Sequence, residues 1–409
     1  MAIRPILASL SRHKIAALLI VFEIALAFAI VSNAVFLIRE RLQRMDIVSG
    51  VADHQLVQVQ MAYIGNEPDA EARAQVDIAA LRQIPGVRDV ALINQLPFAD
   101  HSSNGGIKLD PRQRWNTVHV AEYFGQNIIS TLGLRLIAGR KFSPGEYLGF
   151  GAVVRALHSD NLKELPHIVI VTEALAERLW PGQLALGKTF YMGNGIQFRV
   201  IGVITNLLRP EVPSIGADYS ILFPIRISLQ QAAGYIIRCA PQDRERVLKA
   251  AVATLKRIDP NRVLLKHRTF DQVRREYFQN DRAMAGILVG VIAALLLTTA
   301  FGIAGLASFW VQQRTRQIGV RRALGARRID ILRYFQTENL LLATAGIALG
   351  CAAAIGINVW LMAHYAVPRL PIVYLPIGAV ALWLLGQLAV LGPALRAARV
   401  APTTAMRTA

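Results

Sequence analysis

The chain has 409 residues, of which 54% are hydrophobic, with a mean hydropathy of +0.38 and a net charge of +18. That is too apolar for an ordinary soluble protein. The charge is also unevenly placed: 17 Lys/Arg stand against 4 Asp/Glu outside 46–282, and 28 against 23 within it. Positive charge gathered beside apolar segments points to membrane topology rather than to nucleic-acid binding, for which a basic face on a folded domain is expected.

About 20 apolar residues are needed to cross about 30 Å of hydrocarbon as a helix. After a basic N-terminal segment (1–14, with Arg4, Arg12 and Lys14), the first such stretch is 15–38. It contains Ala27-Phe28-Ala29, but its apolar run exceeds the roughly 7–15 residues of a signal-peptide core, which favours an uncleaved anchor over a leader. Glu23 lies inside it. A carboxylate in hydrocarbon is costly, so Glu23 either pairs or stays protonated within a helix bundle, sits shallow, or serves proton or substrate passage. Ser32 and Asn33 offer hydrogen bonds between helices.

Residues 39–282 are predicted to form a large α+β domain outside the cytoplasm. "HQLVQVQM" alternates as a strand, "PDAEARAQVDIAALRQI" has apolar residues at helical spacing and stops at Pro85-Gly86, and "VRDVALI" is a second strand. The order recurs in "GYIIRCA", "DRERVLKAAVATLKRI" and "RVLLKHRTF". Two such units flanking an insert predict two subdomains, one built from both ends and one from the middle, about 122–208.

Inside that insert, "GQLALGKT" (Gly182 to Thr189) fits the phosphate-loop pattern G-x-x-x-x-G-K-[ST] letter for letter. A working loop follows a strand and opens a helix. Here a helical stretch, "TEALAERLW", comes before, and an alternating hairpin around Gly193-Asn194-Gly195 comes after. The match is therefore one of letters, and this chain is not expected to bind ATP. "DHSS" (100–103) has the residue types of a triad, but its members are adjacent rather than convergent. The histidines show no ligand spacing, the two cysteines (Cys239, and Cys351 in an apolar segment) form no CxxC motif, and no catalytic, cofactor or metal residue is expected.

A helix is predicted to start near Phe270 and run unbroken through the second span, 283–311. An Arg-rich loop, 312–339, leads to the third span, 340–362; a short outer loop, 363–373, leads to the fourth, 374–395, and a tail, 396–409. Gly346 and Gly350 make a GxxxG pair, compatible with packing inside the chain or with dimerisation. The first span alone gives nearly balanced flanks. The seven arginines Arg314, Arg316, Arg321, Arg322, Arg327, Arg328 and Arg333 decide the orientation, making the middle loop and both termini cytoplasmic. The apolar residues among them, with Gly319 and Gly325, predict short amphipathic helices.

"RTRQIGVRRALGARRIDILRYFQTENLLLATAGIALG" resembles the signature of the MacB/FtsX-like family of ABC transporter permeases: an Arg-rich stretch, E-I-G-I-R-x-A-L-G-A, a short helix, and a Glu opening the third span. "IPGVRDVALINQLPF", "VAEYFGQNIISTLGLRLIAGRKFSPGE", "IVIVTEALAERLWPGQLALGKTF", "FRVIGVITNL" and "GPALRAARVAPTTAMR" continue the resemblance over nearly the whole chain. It implies a bacterial inner-membrane permease without a fused ATPase domain, working as a homodimer or heterodimer with a cytoplasmic ABC ATPase that uses the ATP, and in some members with a periplasmic adaptor. By the same resemblance the positions that dock the ATPase are Arg314, Arg316, Gln317, Gly319, Arg321, Arg322, Gly325 and Ala326, and Glu338 is the Glu at the third span. Gln317 departs from the family, which has an acid there. The implied function is export of a drug, peptide or other hydrophobic compound. The family alternatives are a scaffold activating a cell-wall hydrolase and a lipoprotein-release permease.

Overall fold

The computed structural model describes residues 14–399 apart from 66, 160, 194, 213–214, 232 and 366–367. The basic N-terminal residues before Lys14, the tail beyond Arg399, and Asn194 of the expected hairpin turn lie outside the described residues. The chain divides into two compact units, one made of 1–46 with 280–409 and the other of 47–279.

Helix α1 (Lys14–Met45) has no Gly or Pro in its 32 residues, and at 1.5 Å per residue it is long enough to span a membrane. The chain then enters the second unit through Gly50, whose φ of 86° suits glycine and whose missing side chain leaves room for the carbonyl of Asn206. The first elements there are β1 (Leu56–Ala62), α2 (Ala70–Arg82) and β2 (Val87–Ile93). Next come β3 (Asn104–Lys108), β4 (Val118–Phe124), α3 (Ile128–Leu132), β5 (Leu136–Gly139), β6 (Leu148–Gly149), α4 (Phe150–His158), β7 (Ile168–Thr172), α5 (Glu173–Leu179), β8 (Thr189–Met192), β9 (Ile196–Ile204), β10 (Ser220–Phe223) and β11 (Ile225–Arg226). The unit ends with β12 (Gly234–Cys239), α6 (Arg244–Ile258), β13 (Val263–Thr269) and α7 (Phe270–Tyr277).

The two strand–helix–strand repeats read in the sequence build one antiparallel sheet of order β13-β1-β12-β2. Val57, Val59 and Met61 alternate inward from β1 and share a core with Ile78 and Leu81 of α2 and Val247, Leu248, Ala251 and Leu255 of α6. Asp77, on α2, is fully buried in this core. It accepts hydrogen bonds from Arg262 Nη1 and Tyr235 Oη, both 2.5 Å, and Arg262 also stacks on Tyr63.

The second sheet runs β5-β9-β7-β10-β4-β3-β8, and β8 also pairs with β9. That extra pairing closes six strands on themselves around Phe190, Phe198 and Phe223. Its strands come from 104 to 223, so it reaches beyond the expected 122–208 insert on both sides. "GQLALGKT" is the turn between α5 and β8, with Gly182 and Gly187 at φ of 66° and 79°. Lys188 donates to Gln183, and a strand follows where a phosphate loop needs a helix.

The chain returns to the first unit as α8 (Gln279–Gln313), α9 (Thr315–Ala323), α10 (Arg328–Tyr365) and α11 (Tyr374–Arg399). With α1, the long helices α8, α10 and α11 make four segments apolar and long enough to cross a membrane. The helix expected to run unbroken from Phe270 is interrupted. Phe278 leaves helical geometry at φ −90°, ψ 13°, capping α7, because its ring is drawn into a buried cluster with Phe98 and Tyr277 at 5.3 and 4.8 Å. Conversely, most of the expected loop 312–339 is helical, since α10 begins at Arg328 and adds about 18 Å to the third span.

Within this unit α1 and α10 pack closely. A Cβ at Gly346 would stand 2.9 Å from the carbonyl of Val21, and one at Gly350 2.8 Å from that of Ala25. The GxxxG pair thus serves packing inside the chain. One turn beyond Gly350, Asn33 Nδ2 bridges from α1 to the carbonyl of Ala354, 3.0 Å, while also bonding the carbonyl of Ala29. Gly378 of α11 sits against Phe28 and Ser32, and Gly386 against Asn339.

Candidate functional site

The Arg-rich segment is built by three helix ends. At the end of α8 the chain bends at Arg314 (φ −101°, ψ 9°), and Thr315 Oγ1 donates to the carbonyls of Val311 and Gln312. Helix α9 stops at a left-handed glycine: Gly325 has φ of 100°, with Gly325 N–H donating to Arg322 and Ala326 N–H to Arg321. Arg327 N–H then donates to the Asp330 carboxylate, 2.9 Å, so the acid three residues on caps the start of α10.

This frame gives the predicted residues three degrees of exposure. Arg316, Gln317, Arg321 and Gly325 are exposed, Arg322 and Ala326 are half-buried, and Gly319 is buried beside Ile318. Arg314 turns inward. Its Nη1 donates to both oxygens of Glu338 on α10, at 3.0 and 2.9 Å, and its guanidinium lies over the Trp310 ring at 5.7 Å. The side chains of Arg314 and Glu338 are only 10% and 2% exposed. Arg321 stacks on Tyr334 at 5.1 Å. What faces outward combines Arg316, Arg321, Arg327 and Arg328 with Leu324 (83% exposed), Val320 (46%) and Ile329 (45%). An apolar tip in a basic rim is suited to a protein surface that carries acids around an apolar pocket.

Sequence reading left out Trp310 and Tyr334. The signal was present in the spacing: Trp310 precedes Arg314 by four residues and Tyr334 precedes Glu338 by four, one helical turn in each case.

The intramembrane polar residues do not converge. Glu338 belongs to the cluster just described, and Asn33 is a helix-to-helix bridge. Glu23 is half-buried on α1, against α8 at Gly302, where a Cβ would stand 2.6 Å from both carboxylate oxygens. Among the described residues it has no hydrogen-bond or ion-pair partner. In "DHSS", Asp100 pairs with Lys266 and Arg268, and His101 Nε2 bonds the carbonyl of Asn94 at 2.8 Å, so no nucleophile and base are joined. No group of His, Cys, Asp and Glu able to hold a metal occurs among the described residues.

Fold and site together define a four-span membrane protein with a large extracytoplasmic α+β domain inserted after the first span. The model of the MacB-like periplasmic core domain matches 17–255, and that of the FtsX-like permease C-terminal domain matches 289–402. The chain belongs to the MacB/FtsX-type permeases of ABC transporters.

Among its relatives, the uncharacterised ABC transporter permease YvrN of Bacillus subtilis (strain 168) is 26% identical over 267 residues, covering 62% of this chain and 65% of that one. The macrolide export ATP-binding/permease protein MacB of Nitrobacter winogradskyi is 27% identical over 255 residues, 58% of this chain and 38% of that one. The pyoverdine export ATP-binding/permease protein PvdT of Pseudomonas entomophila is 30% identical over 206 residues, 46% and 29%. The chain thus spans less than two thirds of the length of these curated relatives. A solved periplasmic region of MacB from Actinobacillus actinomycetemcomitans aligns with a TM-score of 0.33 at 15% identity, covering 57% of this chain and 97% of that one.

Proposed function

We propose that this chain is the permease subunit of an ABC-type exporter and that a separate cytoplasmic ATPase docks on α9 and the turn after it. The single observation that carries this reading is the outward face of that segment, which is basic at Arg316, Arg321, Arg327 and Arg328 and apolar at Leu324. Positive-inside counting supports placing this segment and both termini in the cytoplasm. ATP is hydrolysed by the partner, this chain holding no cofactor of its own, and the response is a change of shape in the extracytoplasmic domain. A second permease copy, identical or a sibling, completes the membrane unit, and a periplasmic adaptor is a further partner. The export functions in the names of MacB and PvdT support efflux of a drug, peptide or other hydrophobic compound over lipoprotein release or control of a cell-wall hydrolase.

Reversing two exposed charges that have no side-chain partner on α10 among the described residues, Arg316→Glu with Arg327→Glu, should cut co-purification of the ATPase at least about tenfold, since like charges facing each other across an interface cost several kcal/mol. The chain itself should stay folded, because neither residue is buried. Undiminished co-purification would remove the docking claim. A division defect with normal efflux on deletion would instead favour the cell-wall reading.

A further inference from the structure

We propose that the buried pair Arg314–Glu338 is a positioning clasp that orients α9 on α10, so that these two residues couple the docked ATPase to the spans without themselves binding it. The inference rests on the docking reading above.

Three observations carry it. First, the pair sits where the chain changes direction. Arg314 is the residue at which α8 gives way to α9, and its side chain crosses to Glu338 on α10. Second, the pair has a companion. Arg321, two helical turns further along α9, stacks on Tyr334, one turn earlier on α10. Contacts at 314 with 338 and at 321 with 334 fix both the position and the direction of α9 against α10.

Third, the pair is buried and its surroundings are only partly satisfied. Trp310, Glu338 and Asn339 line a small cavity with Ile303, Phe335 and Leu342. Among the described residues, Nη2 of Arg314, Nε1 of Trp310 and Nδ2 of Asn339 lack hydrogen-bond partners. A buried ion pair is weak as a source of stability, because desolvation offsets its attraction; its best-attested use is to specify one arrangement. The arrangement specified here is the seat of the helix whose outer face is left for a partner. A push on that face passes to α10 through Arg314 instead of rotating α9 about the Gln313–Thr315 bend.

The test has one arm on the chain alone and one on its complex with the ATPase that co-purifies with it from native membranes. Three variants are made: Glu338→Gln, Arg314→Met with Glu338→Gln, and the reversal Arg314→Glu with Glu338→Arg. The second removes both charges and leaves no uncompensated ion, which keeps folding in reach. In the chain alone, amide exchange across 315–323 should rise about tenfold in the first two variants and return towards wild type in the reversal.

In the complex, ATPase affinity and the ATP hydrolysis rate should stay within about twofold of wild type. The ATP-dependent change in exchange of the outer unit, per ATP hydrolysed, should fall about tenfold and recover in the reversal. Wild-type exchange at 315–323 and wild-type coupling in the charge-free variant would overturn the clasp while leaving docking intact. Loss of affinity equal to that of the Arg316/Arg327 variant would also overturn it, by making the pair part of the docking surface. Failure of the wild-type chain to bind any ATPase would bring down the docking reading itself, and the coupling role with it.

Discussion

Glu122 of β4 places its carboxyl over Gly105, where any Cβ would collide with it, and accepts a hydrogen bond from Ser103 Oγ. Burial raises its pKa above the usual carboxyl range, more than the Ser103 bond lowers it. The folded state therefore holds this proton more tightly than the unfolded chain does. Its contribution to stability is full below the unfolded value of about 4.3 and is lost as pH rises through the higher folded value. Glu122→Gln, neutral throughout, should raise the urea midpoint of the outer unit at neutral pH and leave it unchanged at about pH 4. An equal shift at both pH values would locate the effect elsewhere.

Phe98 poses a different balance. Its φ of 64° is left-handed, yet its ring is buried at 5.3–6.0 Å from those of Phe270, Tyr277 and Phe278, with the Arg274 guanidinium over it. Losing a buried Phe costs about 3–5 kcal/mol, more than the strain of about 1–2 kcal/mol, so both Phe98→Ala and Phe98→Gly should destabilise. Glycine removes the strain at an unfolded-state entropy cost of about 0.4–1 kcal/mol, so it should come out about 0.5–1 kcal/mol above alanine. Urea unfolding of the two variants checks the order.

Among the elements, the α1–α10 contact depends most on small residues. Gly350→Leu drives a side chain into the Ala25 carbonyl and Phe28, and overpacking of this kind costs about 1–3 kcal/mol. At Gly356, six residues on, the position is exposed and a Cβ meets nothing within 4 Å, so Gly356→Leu should not destabilise. Thermal unfolding in detergent should separate the two, and equal stability of Gly350→Leu and wild type would show that the helices do not pack as described.

The elements were legible to different degrees for identifiable reasons. The strands β1, β2, β12 and β13 and the helices between them declare themselves by alternation and by 3.6-residue spacing. β3 does not, because "NGGIK" has almost no pattern, and so the closed sheet extends past the insert boundary read from sequence. The break at Phe278 was hidden because an aromatic residue in a helical run gives no stop signal; its cause is a tertiary pocket around Phe98. The GxxxG pair was visible, but its partner was not, since it lies more than 300 residues away on α1. At the site, the basic character of 312–339 was plain in the sequence, whereas the division into outward-facing and inward-facing arginines was not. Arg314 and Arg316 look alike until Glu338, 24 residues later, takes one of them.

Over the whole molecule, the membrane unit is discontinuous: α1 belongs with α10 and α11, and the entire outer unit is written between them. Asn33 and the Ala354 carbonyl it bridges to are 321 positions apart. At about 5–20 residues made per second, the first span waits roughly 15–60 s for that partner. During that interval Glu23, Ser32 and Asn33 face lipid or borrowed company, and the outer unit has time to fold before the bundle closes. Assembly is therefore ordered by synthesis: the anchor arrives first, the extracytoplasmic domain matures while tethered by it, and the helix that sheathes the anchor comes near the end. The small residues on α10 let a late arrival fit closely against a helix already standing in the bilayer.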